Sequence, residues 1–474
     1  MAELKTIEEI TGELDINAQI LKLKSGRLQY SPENTKKSPT SKAESRQYID
    51  IENHKIFDTG YRPDRIVQYD DNTKVETVNR IAIPFQKRIV NTAVAFAFGN
   101  SVNWTQDNST SENKKYFDSF LSMLKEIKYD SIDKLMCKAL KTYTESAELF
   151  FTPETAPHSK YGFKTDLKLK CAVLSPDNCI LYPFFDIYGD MIAFSREYTI
   201  TESGEMSTYF DIYTAYEILS YKLDGKDYSQ LKREKNILGK IPVVYISQPQ
   251  TEFFDVQSAI DRLELLISNH AETNDFHSSP TLFMKGEINN FVKKGEQGKL
   301  IVGQIGSELQ YVTWNSAPES VKLEIENLFK IVFEFTQTPN LSFEQIKGLG
   351  AISGIALKLL FLDAHLKVAH DRVIYDSWMD RRRSIIISFL GLMDNANKSN
   401  YDSLEISHEI RPYMIDDRKA LIDELTTANG NKPLLSQLSS IQLFGVSEDA
   451  QKELEQIQKE EQQSNTINLF PTAQ

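Results

Sequence analysis

Residues 252–277, EFFDVQSAIDRLELLISNHAETNDFH, place Phe253, Val256, Ile260, Leu263, Ile267 and His270 at alternating spacings of three and four. That spacing draws one continuous stripe along a helix. A second stripe follows at 318–336, where Val321, Ile325, Leu328, Val332 and Phe335 repeat the pattern. Between them lies a short segment with strand-like LFMKG, KLIVG and LQYVTW around a Lys/Gly turn. The two helices are expected to pair, with this small β lobe at their tip.

Downstream, the Thr338-Pro339-Asn340 break leads into LSFEQIKGLGAISG, where Gly348, Gly350 and Gly354 permit backbone geometry that other residues resist. A mobile loop is expected there. Helical spacing resumes from Ser353 to Met393, roughly 60 Å if unbroken. Ile355, Leu359, Leu362, Leu366, Ala369 and Val373 hold one face, and the phase is lost through Tyr375–Arg383, which predicts a kink or a change of packing partner. A strand-like SLEISHEIR and two or three helices follow, with Asp416, Ser436 and Ser447 as candidate N-caps and a polar tail.

Upstream, 167–247 is a series of short β-branched and aromatic runs: LKLKCAVL, CILYPFF, MIAFSREYTI, STYFDIYTAYEILSY and IPVVYIS, separated by turn signals such as SPDN, YGD and LDGKD. Residues 77–98 and 113–151 carry helical spacing. The chain is therefore expected to be α+β, an antiparallel β unit borne on preceding helices up to about residue 248. At the N-terminus, 3–24 reads as an amphipathic helix and 25–46 as an exposed arm, with the compact fold beginning after it.

The chain of 474 residues carries 54 Lys and Arg against 67 Asp and Glu, a net charge of −13. A protein that grips phosphates through a basic surface is disfavoured by that balance. Cys137, Cys171 and Cys179 form no disulfide framework and read as small buried apolar residues. The first residues lack the pattern of a secretion signal, and no apolar run approaches the roughly 20 residues of a membrane span.

Catalytic motifs are missing where they would be sought. His365 and His370 stand five apart and share no helical face, and His270 and His277 have no suitably placed carboxylate between them, so no metal site and no cofactor is expected. Gly295-Glu-Gln-Gly298-Lys299 has the wrong spacing for a phosphate loop, and Gly348-Leu-Gly350 lacks the preceding buried strand of a dinucleotide site. Lys293, Lys294 and Lys299 read as a solvated lobe tip. Arg381-Arg382-Arg383 has Asp371, Asp376 and Asp380 in helical reach and reads as an ion-paired cluster.

Taken in order, these parts resemble the tailed-phage portal proteins of the SPP1 (Gp6-like) type. Ile241-Pro242-Val243, the acidic helix with Asp261, the Thr338-Pro339-Asn340 break and Ser353-Gly354-Ile355-Ala356-Leu357-Lys358 carry the resemblance, strongest over about 240–375. It implies an N-terminal helix and arm (1–46), a wing (47–251), stem helices (252–277 and 318–338), a clip (278–317), a tunnel loop (339–352), a long kinked wing helix (353–393) and a helical crown with tail (394–474). Twelve copies would form a ring at one capsid vertex, through which double-stranded DNA is packaged and ejected. The implied partners are the terminase large subunit, a head-completion adaptor, and the major capsid and scaffolding proteins, with no membrane and no catalysis by the chain itself. Asn340, Gln345, Lys347, Gly348, Gly350 and Ser353 would belong to the DNA-facing loop, and Lys293, Lys294 and Lys299 to the terminase-facing clip. The loop is more apolar at Leu349, Ala351 and Ile352 than such loops often are.

Charge supports this independently: an acidic wall repels phosphates, so DNA slides past it rather than binding. An unrecognised hydrolase or transferase, and a monomeric scaffold or adaptor, are the competing classes. Particle mass and symmetry separate them.

Overall fold

The computed structural model describes residues 5–30, 64–69, 72–107, 111–202, 204–277, 281–285, 288–290, 302–303, 306, 308–312, 318–340, 359–413, 436–444 and 450–467. The chain divides into two units, one comprising Met1–Gln345 with Phe361–Tyr413 and the other Ile346–Leu360 with Met414–Gln474.

In the first unit, a five-stranded antiparallel meander is built from Ile180–Phe185, Met191–Glu202, Glu205–Thr214, Glu217–Asp224 and Asp227–Lys235, each strand pairing with its predecessor. The expected run STYFDIYTAYEILSY is two strands joined by a turn at Ala215–Tyr216, and the last strand, exposed along most of its length, escaped the sequence reading. A second antiparallel sheet sets Glu145–Phe151 between Val243–Ser247 and Lys170–Leu174.

That central strand corrects the expectation of helix through 151. Helices Ser111–Glu126 and Tyr129–Tyr143 are separated where Lys128 takes a left-handed backbone, and a second left-handed residue, Thr144, ends the helical run. Residues 145–150 are all buried, so the strand shows none of the alternation that marks a half-exposed one. The helix expected over 77–98 likewise begins only at Phe85, after Pro84. Residues 77–84 instead run alongside helix Gln257–His277, where the Ile81 N–H donates to Ser268 Oγ at 2.9 Å and the Ile83 N–H to Glu264 Oε1 at 2.8 Å.

The N-terminus is also corrected. Two helices, Ile7–Thr11 and Ile16–Tyr30, are separated at Gly12, whose positive φ closes the first, and the second continues through residues expected to lie in an exposed arm. Ile7, Ile20 and Leu23 are buried against Phe184, Phe210 and Leu219 of the five-stranded sheet. The compact fold therefore includes these helices.

Helix Leu362–Met393 runs without a break through Tyr375–Arg383, so the expected kink is absent and a change of packing partner accounts for the lost phase. The face read from the sequence is the outer one in the single chain: Leu362, Leu366 and Val373 are 46%, 54% and 78% exposed. Ala364, Val368, Tyr375, Trp378, Met379 and Arg382 form the buried side. Strand Ile406–Glu409 then pairs with Asn103–Gln106. In the second unit, helices Gln437–Phe444 and Ala450–Ile467 contact one another, and Ser436 Oγ caps the first by accepting the Ser439 N–H at 3.1 Å. The candidate caps Asp416 and Ser447 lie outside the described residues.

The Arg triplet is divided among three roles. Arg383 pairs with Asp380, Arg381 donates to the Ile241 carbonyl at 3.1 Å, and the fully buried Arg382 meets Glu148 and Asp133. Trp378 Nε1 also donates to Glu148, at 2.8 Å. One cation thus serves two buried carboxylates. Arg382 Nη1 lies 2.6 Å from Asp133 Oδ1 without an aligned N–H, and both Asp133 oxygens lack a hydrogen bond. Burial, with Glu148 adding repulsion against the opposing pull of Arg382, raises the Asp133 carboxyl to about 7.

A carboxyl that is more basic in the folded state makes folding proton-consuming between its unfolded and folded values, so stability falls as pH rises across that window. Asp133→Asn is expected to remove a loss on the order of 4 kcal/mol between pH 4 and 8. Urea denaturation at several pH values checks this. An unchanged slope in the variant would refute it.

Candidate functional site

The two stripe-bearing helices, Gln257–His277 and Pro318–Phe335, lie side by side and meet helix Phe85–Phe98 at their inner ends. Phe253, Val256, Ile260 and Leu263 are buried there with Val332, Phe333, Phe85, Ile89 and Val90. Phe85 lies edge-on to Phe329 and Phe333, with ring centroids 5.2 and 6.0 Å apart. Phe335, counted in the stripe from sequence, is 72% exposed, and Phe333 occupies the buried position. Farther along, Arg262 pairs with Glu324 across the two helices at 2.8 Å. A small lobe between them pairs Thr281–Lys285 with Glu308–Val312 and Ile288–Asn290 with Val302–Gly303.

At the base of this pair sits a buried ionic cluster. Lys141 Nζ, from helix Tyr129–Tyr143, lies 2.9 Å from Glu252 Oε2 and 2.7 Å from Asp371 Oδ2 of the long helix. Lys367, one turn before Asp371, holds the other Glu252 oxygen. Two cations and two carboxylates close a neutral cluster, the arrangement in which burying charge is tolerable. Although burial alone would raise the Glu252 carboxyl, the two lysines outweigh it and hold it below the usual range. Burial alone would lower the Lys141 ammonium, but Glu252 and Asp371 together outweigh it and hold it above its ordinary value. Cys137 and Tyr375 border the cluster, Sγ to OH 3.5 Å, and burial pushes the Cys137 thiol up to about 12. It is a packed thiol rather than a nucleophile.

Lys367 also donates to the Thr336 carbonyl at 2.6 Å, at the C-terminal end of helix Pro318–Phe335. Gln337 there adopts φ +50°, and the Thr338 N–H returns to the Phe333 carbonyl at 3.0 Å, which closes the helix end. Thr336 Oγ1 donates to the Val332 carbonyl at 2.6 Å, and Thr338 and Pro339 are buried. The segment entering 341–352 is therefore tied to the long helix, and through Glu252 and Lys141 to the sheet-bearing part of the unit.

Of the sequence-predicted loop residues, Asn340 is half-buried directly after this tied segment. Gln345, Lys347, Gly348, Gly350 and Ser353, together with Lys293, Lys294 and Lys299, lie outside the described residues. Sequence reasoning missed Lys141, Glu252 and Lys367, and it read Asp371 with the arginine triplet, whereas Asp371 pairs with Lys141. Lys367 and Asp371 stand one helical turn apart, which places both on the face of the long helix turned to this cluster. Among the described residues no group of three or more His, Cys, Asp or Glu is placed to hold a metal ion, and no helix is long and apolar enough to cross a membrane.

A family profile described as "Phage portal protein, SPP1 Gp6-like" matches residues 30–466. No curated protein matches. Among solved structures, the chain is similar to one titled "Neck of empty GTA particle computed with C6 symmetry", at 11% identity and a TM-score of 0.39, covering 77% of this chain and 91% of that one. It is also similar to "Virion of native gene transfer agent (GTA) particle", at 11% identity and a TM-score of 0.34, covering 77% and 89%. A third, "Neck of native GTA particle computed with C12 symmetry", has 10% identity, a TM-score of 0.36 and the same coverage.

Proposed function

The chain belongs to the SPP1 Gp6-like family of phage portal proteins, and from that premise we propose that it works as the channel subunit of a capsid vertex. Twelve copies surround an axis through which double-stranded DNA enters during packaging and leaves during ejection. The family is structural rather than enzymatic, so the hydrolysis that drives packaging belongs to the terminase docked on the ring. The proposal assigns 252–277 and 318–338 to the stem, 278–317 with Lys293, Lys294 and Lys299 to the terminase-facing clip, and 339–352 to the channel loop. Head-completion, capsid and scaffolding proteins complete its partners in the virion.

The match over 30–466 carries this reading. The outward apolar stripe of Leu362, Leu366 and Val373 supports it, because a neighbouring subunit would cover what a single chain leaves exposed. The net charge of −13 suits a conduit along which phosphates slide.

Lys347 supplies the test within the loop. Lys347→Glu adds repulsion toward the DNA backbone in this assignment, so rings of normal mass are expected to package or retain DNA poorly. Packaging assays on particles carrying the variant measure it. Normal DNA content and retention would contradict the loop's assigned contact with DNA.

A further inference from the structure

A cavity adjoins the ionic cluster where three elements meet: helix Phe85–Phe98, the end of helix Pro318–Phe335 and the first turns of helix Leu362–Met393. Its wall carries Thr92 and Ala93 from the first, Gln337 and Thr338 just past the second, and Lys367 and Asp371 from the third. About 10 Å³ of it is open to the centre of a water molecule, room for one water and little more.

The polar groups of this wall have hydrogen-bonding capacity that the chain itself does not use. An ammonium has three N–H donors, and Lys367 turns one to Glu252 and one to the Thr336 carbonyl. Asp371 receives Lys141 and the Tyr375 hydroxyl on Oδ2, while its Oδ1 accepts no hydrogen bond from the described residues. Thr92 Oγ1 and the Gln337 side-chain amide likewise meet no partner among the described residues. Lys367 and Asp371 are oppositely charged and one turn apart, yet each turns to a different partner, Glu252 and Lys141. One donor, one acceptor and two groups that can act as either therefore surround a space of one water.

The chemistry of the wall selects the occupant. An apolar molecule would leave these groups unpaired, at the cost of their desolvation. An anion would face Asp371, and a cation would face Lys367. A neutral molecule that both donates and accepts fits all sides. We propose that one water molecule is a fixed part of this site, accepting from the third Lys367 N–H, donating to Asp371 Oδ1 and bonding Thr92 or Gln337 with its remaining capacity. The clasp thereby reaches a further element, because Thr92 brings in helix Phe85–Phe98. Gln337, at φ +50°, is then held by its side chain as well as by its backbone. Neither the ring nor the channel is needed for this site.

A density map of the full chain at a resolution that shows ordered waters tests the site directly. A peak is expected within hydrogen-bond distance of both Lys367 Nζ and Asp371 Oδ1. A map that orders these side chains and shows no such peak would overturn the proposal. In solution, Ala93→Thr and Ala93→Val introduce side chains of one shape and similar helix propensity, which differ in a hydroxyl against a methyl group. Either takes up the water's space, and only the first supplies a polar group in its stead. Amide hydrogen exchange is read at the Thr338 N–H, which bonds the Phe333 carbonyl at the end of the helix. Exchange is expected to be about tenfold faster in the Ala93→Val chain than in the Ala93→Thr chain. Equal rates, or slower exchange with Ala93→Val, would show a dry apolar cavity and overturn the bound water.

Discussion

Replacing Arg382 with Met is expected to lower the stability of the first unit by about 3–5 kcal/mol, the cost of leaving a buried charge without its partner. Arg382 and Glu148 have no exposed side-chain surface, and Asp133 is 1% exposed. With the guanidinium gone, Glu148 keeps only the indole N–H of Trp378 among its ion-cluster contacts. Its carboxylate must then take up a proton or draw in water. Because the damage lies in the orphaned carboxylate rather than in lost packing, adding Glu148→Gln to the Arg382→Met chain should restore part of the loss. The two changes would be strongly non-additive. Urea denaturation of the four chains of this cycle measures the coupling. Simple additivity would show that the pair does not act as a unit.

Glu252→Gln is expected to have the next largest effect, about 2–4 kcal/mol, since it removes the charge that two buried ammonium groups share. Lys141 keeps Asp371, whereas Lys367 keeps only the Thr336 carbonyl among the contacts of the cluster. The loss should therefore appear locally. Amide hydrogen exchange is expected to quicken at 332–340 and at the first turns of the 257–277 helix, with the five-stranded sheet unchanged. The pH dependence has a defined sign. A carboxyl held below its ordinary value contributes stability above about pH 4.5 that is lost as pH falls through its folded value, opposite to the behaviour of Asp133. Glu252→Gln should reduce the acid sensitivity of the native chain. Uniform exchange across the unit, or an unchanged acid limb, would contradict a local clasp.

The clasp matters because of what it holds. Lys367 lies on the helix that follows the loop, and the Thr336 carbonyl lies at the end of the helix that precedes it. In the channel assignment, the root of a DNA-facing loop is fixed to the body of the subunit. Gln337 takes a left-handed turn there.

What could be read from the sequence followed the range of the interactions. The helical stripes of 252–277 and 318–336, and most strands of the meander, were legible because spacing within one element decided them. Strand Glu145–Phe151 was not, since burial on both faces erased its period and left a helix-like run of mixed residues. The docked N-terminal arm was hidden for another reason: its receptors, Glu197, Glu217 and Tyr228, lie about 170–210 positions away. Arg382 was read with the nearby Asp380, yet its partners are Glu148 and Asp133, on a strand and a helix far upstream. Local acids made a decoy. On the long helix the sequence reading picked out the face of Leu362, Leu366 and Val373, which the single chain leaves exposed, whereas the chain itself buries Tyr375, Trp378 and Arg382.

Assembly is also where the account is most exposed. Mass photometry or electron microscopy of the protein purified from particles, or assembled at high concentration, measures it directly. Twelve chains of 54.3 kDa predict a closed ring of about 650 kDa with a central channel. A population that stays at the mass of one chain under those conditions would contradict the portal reading.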